Sequence, residues 1–319
     1  MNTTRRRLRD ALAHLGGAGE RVALIDATKN ERWSAARLEA AVTSASEALR
    51  RAGLGPGDRL GIAAARHPET LVWILAAVDA GVGYVPFDLD YPPTRLQAMA
   101  EDAAPRAVVG EAGALAALQG LVPGLPSLAQ PAPASRPHGA ADDLLYVLFT
   151  SGSSGRPKGV AMGEGPIARL IDWQAADPRL GAPATTLLFA PFSFDVHAQE
   201  LFGAIATGGT LVLVDDATRR DPLALREAIR RHGVERLYLP YVALQMLADV
   251  AGDAPLPLRD VVSAGEALVL TPAIRRLFEH LPDARLHNHY GPTETHVVTA
   301  HTLSADVAGW PPVAAIGMA

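Results

Sequence analysis

The residues best suited to chemistry fall in two clusters. The first, Thr150-Ser151-Gly152-Ser153-Ser154-Gly155-Arg156-Pro157-Lys158-Gly159, follows the mostly apolar run Leu144-Leu145-Tyr146-Val147-Leu148-Phe149. β-Forming residues running straight into hydroxyls, glycines and cations read as a buried strand emptying into a loop. The composition suits a phosphate: glycines let backbone N–H groups converge on an anion, the hydroxyls add donors, and Arg156 and Lys158 bring positive charge. Spacing excludes a P-loop, because counting from Gly152 puts Pro157 in the place of the second glycine and Gly159 where a hydroxyl should stand. A flexible polar linker would have a similar composition. The second cluster, Asn288-His289-Tyr290-Gly291-Pro292-Thr293-Glu294-Thr295, ends another strand with a Gly-Pro turn, two hydroxyls and a lone carboxylate. Magnesium takes one or two protein carboxylates beside phosphate oxygens and water, so this turn could hold a metal-bound phosphate. A plain strand-end turn accounts for it as well. His287 and His289, two apart on a strand, share a face in a way that suggests zinc, but no further ligand cluster supports that, and packing or pocket lining is the better reading.

The elements that must position these clusters alternate. Strand Val22 to Asp26 is followed by a helix capped by Ser34 and stopped by Gly53. Strand Leu60 to Ala64 leads to a helix opened by His67-Pro68-Glu69 and ended by Gly81. Gly83 to Phe87, a helix from Thr94 to Ala103, and Ala107 to Val109 continue the series. After a proline-rich surface connection over residues 120–139 and the first cluster, the pattern resumes. Helices are expected near 166–176, 196–206, 222–231, 242–250 and 272–280, with strands near 186–190, 210–214, 236–239, 260–264 and 284–290. Strands alternating with helices predict an α/β fold of layered sheets flanked by helices. At 319 residues there is room for about two parts. The expected division is a first α/β part over 1–140 and a site-bearing part over 141–319.

Composition narrows the function further. Hydrophobic residues make up 49% and charged residues 20%, which argues against disorder, and a net charge of −5 gives no reason to expect nucleic acid as a partner. No run approaches the ~18 apolar residues of a membrane helix. With no cysteine there is neither a disulfide nor a thiolate nucleophile. The basic start Arg5-Arg6-Arg7-Leu8-Arg9 precedes an apolar stretch too short for a signal core, so a cytoplasmic location is the default expectation.

The pattern Thr-Ser-Gly-Ser-Ser-Gly-x-Pro-Lys-Gly closely resembles the phosphate-binding signature of the adenylate-forming (AMP-binding) enzymes, particularly the amino-acid adenylation domains of nonribosomal peptide synthetases. Asp79-Ala80-Gly81-Val82-Gly83-Tyr84-Val85-Pro86-Phe87-Asp88, Tyr91-Pro92-x-x-Arg95-Leu96 and Tyr290-Gly291-Pro292-Thr293-Glu294 match further motifs of that family. The resemblance implies ATP and Mg2+. Thr150, Ser151, Gly152, Ser153, Ser154, Gly155 and Lys158 would hold phosphates. Gly265, Glu266, Asn288 and Gly291 would border the nucleotide, Tyr290 would stack on adenine, Thr293 would bond a phosphate, and Glu294 would help hold the metal. Thr150, Lys158, Thr293 and Glu294 would thus be the catalytic set. In Phe192-Ser193-Phe194-Asp195-Val196-His197-Ala198-Gln199-Glu200, Asp195 resembles the aspartate that accepts the substrate's α-amino group, although it could equally cap the next helix. The side-chain pocket then falls on Val196, Gln199, Tyr238, Val262, Ala264, His289, Val297 and Val298. Most are apolar and none carries a fixed charge, which indicates a small, largely apolar side chain. With Asp195 the set resembles the code of proline-activating domains, and selectivity over a homologue such as pipecolate would rest on about one methylene, ~1 to 3 kcal/mol.

The reaction implied is ATP-dependent formation of aminoacyl-AMP and pyrophosphate, followed by loading of the phosphopantetheine of a peptidyl carrier protein. The resemblance runs to Ile316-Gly317-Met318, whereas the family continues through a ribose-binding aspartate and a hinge into a small C-terminal subdomain bearing a lysine. The expectation is therefore a large N-terminal subdomain truncated before that point. It would either be assisted by a separate C-terminal subdomain or be a fragment that binds ATP and amino acid without catalysis. Glu164 is a second departure, since many relatives carry histidine at about this position.

Overall fold

The computed structural model describes residues 8–15, 19–133, 143–150, 156–252 and 255–317. In chain order the elements are α1 (Leu8–Leu12), β1 (Val22–Asp26), β2 (Glu31–Ser34), α2 (Ala35–Arg51), β3 (Arg59–Ala63), α3 (Pro68–Ala80), β4 (Gly83–Phe87), α4 (Pro93–Ala103), β5 (Ala107–Val109) and α5 (Ala112–Leu121). They continue with β6 (Leu144–Thr150), β7 (Lys158–Gly163), α6 (Glu164–Ala176), β8 (Thr185–Leu188), α7 (Val196–Ala206), β9 (Thr210–Leu213), α8 (Asp216–Arg220), α9 (Pro222–His232) and β10 (Arg236–Leu239). Last come α10 (Tyr241–Val250), β11 (Asp260–Ala264), α11 (Pro272–Glu279), β12 (Arg285–Tyr290), β13 (Thr299–Thr302) and a 3-10 turn at Val307–Gly309. No described helix is long and apolar enough to cross a membrane.

Local chemistry sets the boundaries. The Ser34 hydroxyl accepts from Arg37 N at 3.3 Å to cap α2, and the His67 ring accepts from Glu69 N where α3 opens on Pro68. Gly81 ends α3 in the left-handed region at φ 71°, a conformation that costs glycine nothing. Asp221 caps α9 through Leu223 N and Ala224 N.

The chain forms two compact units, Met1–Arg21 with Ser34–Arg169 and Pro191–Asp195, and Val22–Trp33 with Leu170–Ala190 and Val196–Ala319. The first unit is built on a sheet ordered β5-β3-β4-β6-β7. Its first four strands run parallel and β7 returns antiparallel to β6. Ala63, Val85, Phe87, Leu96, Met99, Val147 and Phe149 form a core on this sheet. The second unit is built on a sheet ordered β13-β12-β11-β10-β8-β9-β1-β2. Strands β12 through β1 pair in parallel, and β13 closes one edge antiparallel to β12. Its core gathers Leu187, Val212, Ile229, Leu237, Leu247, Val261, Ile274 and Leu286 from both helices and strands.

In the second sheet β8 lies between β9 and β10. The chain steps from β8 to β9 through α7, then back past β8 to β10 through α8 and α9. The connections therefore diverge at the carboxyl end of β8, and in open α/β sheets such a switch point leaves a crevice where ligands bind.

Several elements were not expected from the sequence. Helix α5 falls just before the proline-rich segment in a stretch of alanines and glycines, and its start is held by the Glu111 carboxylate, which accepts from Ala114 N at 3.0 Å. Strand β7 begins at Lys158, inside what reads as one continuous polar loop, because the residues beyond it form a ladder with β6. Strand β13 lacks an apolar run and is defined by its pairing with β12.

Candidate functional site

In the first unit, Thr150 and Lys158 are cross-strand partners in the β6·β7 ladder. Directly opposed residues in such a ladder hold their Cβ atoms about 5 Å apart. The hydroxyl and the ammonium thus stand at the two feet of the signature loop. Ser151, Gly152, Ser153, Ser154 and Gly155 lie outside the described residues. Lys158 is exposed and has no ion-pair partner among the described residues. Arg156 differs: its guanidinium meets Asp102 Oδ1 at 2.8 Å, so its charge is already matched and the phosphate reading of this residue is weakened. Arg95, from the Tyr91-Pro92-x-x-Arg95 motif, stacks 4.1 Å from the Tyr91 ring centre and donates to the carbonyl of Phe149 at 3.2 Å. The motif therefore braces the last turn of strand before Thr150. Asp88 accepts from the Ser193 hydroxyl at 3.0 Å, tying the preceding motif to the segment that leads into Asp195. Asp195 is half-buried, and the Tyr146 phenol, pushed up mainly by burial, is pushed further by the Asp195 charge. Glu164 accepts from the backbone N–H of Leu8 where α1 begins, so this departure from the family pattern has a structural partner.

In the second unit, the expected pocket residues come from α7 and from the carboxyl ends of β10, β11 and β12, the edge where the switch point lies. Tyr238 and Val262 are register neighbours, as are Ala264 and His289. Tyr238 and Val262 join Leu180 in a small apolar cluster against which Val196 packs. Gln199, 1% exposed, places its Nε2 3.2 Å from His289 Nδ1 and 3.1 Å from Gln174 Oε1, and Gln174 Nε2 donates to the Tyr238 hydroxyl at 2.9 Å. The Trp173 ring meets His289 edge-on at 5.7 Å. Gln174 was not among the residues picked from sequence, and a lone glutamine on a helix carries no signal that could have singled it out. Val297 and Val298 sit in the turn after Tyr290, half-buried and exposed respectively, outside that apolar cluster.

His289 is 2% exposed, and its imidazole is lowered to about 3, first by burial and then by the nearby His287 and His296, with Asp177 opposing. It is neutral at physiological pH. With the Gln199 amide oriented as it stands, Nδ1 accepts, so the ring proton rests on Nε2, which has no hydrogen-bond partner among the described residues. His287 has a different duty: Nε2 meets Asp260 Oδ1 at 3.1 Å and Nδ1 meets the Thr302 hydroxyl at 2.9 Å. With both nitrogens engaged it is no metal ligand, and among the described residues no group of three or more His, Asp or Glu is placed to hold a metal. Burial alone would raise Asp260. The hydrogen bond and charge of His287, with Arg236 and Arg179, outweigh it and hold the carboxyl below its usual range. Asp260 and Arg236 stand at the amino ends of β11 and β10, and His287, level with Val262 in the register, joins them to the expected pocket residues.

Two further features shape the site. Glu200, fully buried on α7, accepts from Phe189 N at 3.1 Å and Ala190 N at 3.0 Å, fixing the exit of β8. In the Tyr290 turn, a Cβ on Gly291 would fall 1.7 Å from the His296 carbonyl, so only glycine permits the closure made by His296 N and Thr295 N on Pro292 O. Beside it Tyr290 is 51% exposed, Glu294 is exposed and Thr293 half-buried. Gly265 has φ 91° with nothing within 4 Å of where a Cβ would sit, and Glu266 is exposed. Asn288 is turned inward, donating to the Ala315 carbonyl at 2.9 Å, so it braces the strand end. An exposed ring beside open backbone suits a stacked base, and one exposed carboxylate suits magnesium, which draws its other ligands from phosphate and water.

A family model described as AMP-binding enzyme matches residues 13–319. The chain belongs to the AMP-binding enzyme family. Curated relatives of this family member include gramicidin S synthase 2 of Brevibacillus brevis, 31% identical over 83% of the chain and 6% of the relative. Enterobactin synthase component F of Escherichia coli (strain K12) is 35% identical over 80% of the chain and 20% of the relative. An L-proline--[L-prolyl-carrier protein] ligase of Streptomyces coelicolor is 32% identical over 83% of the chain. The chain spans 55% of that ligase and far less of the two synthases. Among solved structures, a four-domain nonribosomal peptide synthetase bound to AMP and glycine superposes with a TM-score of 0.79 at 25% identity, over 97% of this chain and 22% of that one. The N-terminal subdomain of Klebsiella oxytoca NpsA matches at 0.75 and 23% identity, over 98% of this chain and 80% of that one. The fold of this family member is that of the N-terminal subdomain of an adenylation domain.

Proposed function

We propose that the chain activates an amino acid, with L-proline as the foremost candidate, by adenylation: the amino acid carboxylate attacks the α-phosphorus of ATP, and aminoacyl-AMP and pyrophosphate result. The observation that carries this reading is the chemistry of the expected side-chain lining: Val196, Tyr238 and Val262 are apolar and packed together, and Gln199 and His289, hydrogen-bonded to each other, are uncharged. Such a lining excludes ionic side chains, because nothing in it would repay the desolvation of a charge. A relative that acts on L-proline, by its name, points the same way.

In this reading Asp195 receives the substrate ammonium, primary or secondary, and Ala264, Val297 and Val298 border its side chain. Thr150 and Lys158, with the loop residues Ser151, Gly152, Ser153, Ser154 and Gly155, hold phosphate oxygens. Tyr290 stacks on adenine beside Gly265, Glu266 and Gly291, with Asn288 holding the end of the strand. Thr293 donates to a phosphate, and Glu294 would hold Mg2+, whose part is to share the phosphate charge. Two anions must be brought together, so oriented N–H donors and the Lys158 ammonium carry most of the work and no proton-shuttling base is needed. The acyl group then passes to the phosphopantetheine of a peptidyl carrier protein, with a separate C-terminal subdomain assisting, in a cytoplasmic setting.

Amino-acid-dependent exchange of labelled pyrophosphate into ATP tests the proposal across the proteinogenic amino acids and pipecolate. Exchange with proline above all others is expected. A best response to a charged or bulky aromatic amino acid would remove the proline assignment, and binding of ATP and amino acid without exchange would favour a non-catalytic role.

A further inference from the structure

We infer that Gln174 is a positioning residue for amino acid selectivity, the hinge pin of a buried hydrogen-bonded chain from Tyr238 through Gln199 to His289. The inference rests on the proposal that this pocket receives the amino acid. Gln174 is 1% exposed on α6, far in sequence from the pocket elements. A buried amide is costly unless both ends are satisfied. Here both ends are met by pocket side chains: Nε2 donates to the Tyr238 hydroxyl at 2.9 Å and Oε1 accepts from Gln199 Nε2 at 3.1 Å. The fold makes room for this amide. On α7, one turn beyond Gln199, Gly203 faces it, and a Cβ there would lie 2.6 Å from Gln174 Nε2.

The chain constrains what the pocket can present. The amides of Gln174 and Gln199 must meet oxygen to nitrogen, so neither turns alone without setting two carbonyls or two amino groups face to face. Gln199 in turn governs His289, because a Gln199 nitrogen facing Nδ1 demands a bare Nδ1, and an oxygen there demands Nδ1–H. The ring is held neutral by its surroundings, so only the tautomer is open, and with it whether the unpartnered Nε2 is donor or acceptor. Removing Gln174 frees Gln199 to turn by itself and lets His289 populate both tautomers, and it also releases the Tyr238 phenol that forms part of the pocket wall. Selectivity between close homologues depends on such rigidity, since the difference at stake is about one methylene.

The test uses the whole chain and three probes, the sulfamoyl-adenosine analogues of L-proline, L-pipecolate and L-valine, titrated calorimetrically, with AMP as a control. Gln174→Met keeps the shape and removes both hydrogen bonds. It is expected to shrink the preference for the prolyl analogue about tenfold, the worth of roughly one buried hydrogen bond, while AMP affinity holds. Gln174→Glu, which can accept from both Gln199 and Tyr238, is expected to restore most of the preference. Nitrogen NMR of His289 should pass from one tautomer to a mixture in Gln174→Met. Gly203→Ala, which displaces the same amide from the other side, should lower the preference too and serves if Gln174→Met does not fold. A wild-type preference kept intact in these variants overturns the inference alone. A wild type that binds AMP but does not distinguish the three analogues overturns the proposed substrate reading, and this inference with it.

Discussion

Glu200 offers the sharpest test of how the amino acid end of the fold is held. Its carboxylate is fully buried and takes two backbone donors where β8 ends, Phe189 N at 3.1 Å and Ala190 N at 3.0 Å, with a second approach from Ala190 N to the other oxygen at 3.2 Å. In Glu200→Gln one oxygen can still serve both donors, but the charge assistance is lost, about 1 kcal/mol for each bond, and an amino group is set against Ala190 N–H. The expected cost is about 2 kcal/mol. In Glu200→Ala both N–H groups lose this acceptor in a dry site, at about 1 to 3 kcal/mol each, so the cost rises to roughly 4 kcal/mol. An apolar replacement such as Glu200→Leu gives no relief, because the backbone donors remain. Urea unfolding followed by near-ultraviolet circular dichroism measures the series, and the midpoint should fall in the order wild type, Gln, Ala with little change in slope. Wild-type stability in Glu200→Ala, within about 1 kcal/mol, would show that the carboxylate does not secure the end of β8 and would refute the reasoning.

Other outcomes follow from the same geometry. Lys158→Ala should weaken nucleotide handling on the order of tenfold or more and leave amino acid binding largely intact, while Asp195→Ala should do the reverse; calorimetry with each ligand separately checks this, and equal losses on both would count against it. Arg156→Ala should perturb nucleotide binding much less than Lys158→Ala, since Arg156 is matched by Asp102 in an exposed pair worth under about 1 kcal/mol. For His289 the folded value, about 3, lies below the unfolded 6.5. The unfolded chain therefore binds the extra proton first, and this residue's stability contribution is full above pH ~6.5 and is lost as pH falls toward 3. Roughly 2 to 3 kcal/mol should be gone by about pH 4.5, and His289→Asn should flatten that limb in denaturant melts taken across pH. Asp260→Ala should cost about 3 to 5 kcal/mol, because it strands the buried Arg236 guanidinium, and Asp260→Asn should cost less.

Much of this was legible in the residues. Ser34, His67-Pro68 and Gly81 mark helix ends by chemistry that acts within a turn, so they can be read without knowing the fold. Gln199, Tyr238 and Val262 are singled out only through the resemblance of the Asp195 segment to a family motif, since nothing in the pattern of their own helix and strands sets them apart. What escaped depends on partners distant in sequence. Strand β7 exists because residues 158–163 find β6, not because they alternate, and the neutralisation of Arg156 requires Asp102, 54 positions away. Gln174 illustrates the limit best: its meaning lies in Tyr238, 64 positions away, and in the absence of a side chain at Gly203. Glu200 stood in a motif read for its neighbour Asp195, and only the path of the backbone at Phe189 and Ala190 reveals its task.

The pairing of Thr150 with Lys158 also bears on how such a loop can change. The lysine takes its station in the backbone ladder of β6 and β7, opposite Thr150. On the proposed phosphate role, rewriting the intervening residues at constant length probes the loop while Thr150 and Lys158 stay strand partners. Laboratory libraries confined to residues 151–155 would then sample variants of the proposed phosphate loop against that one strand pair.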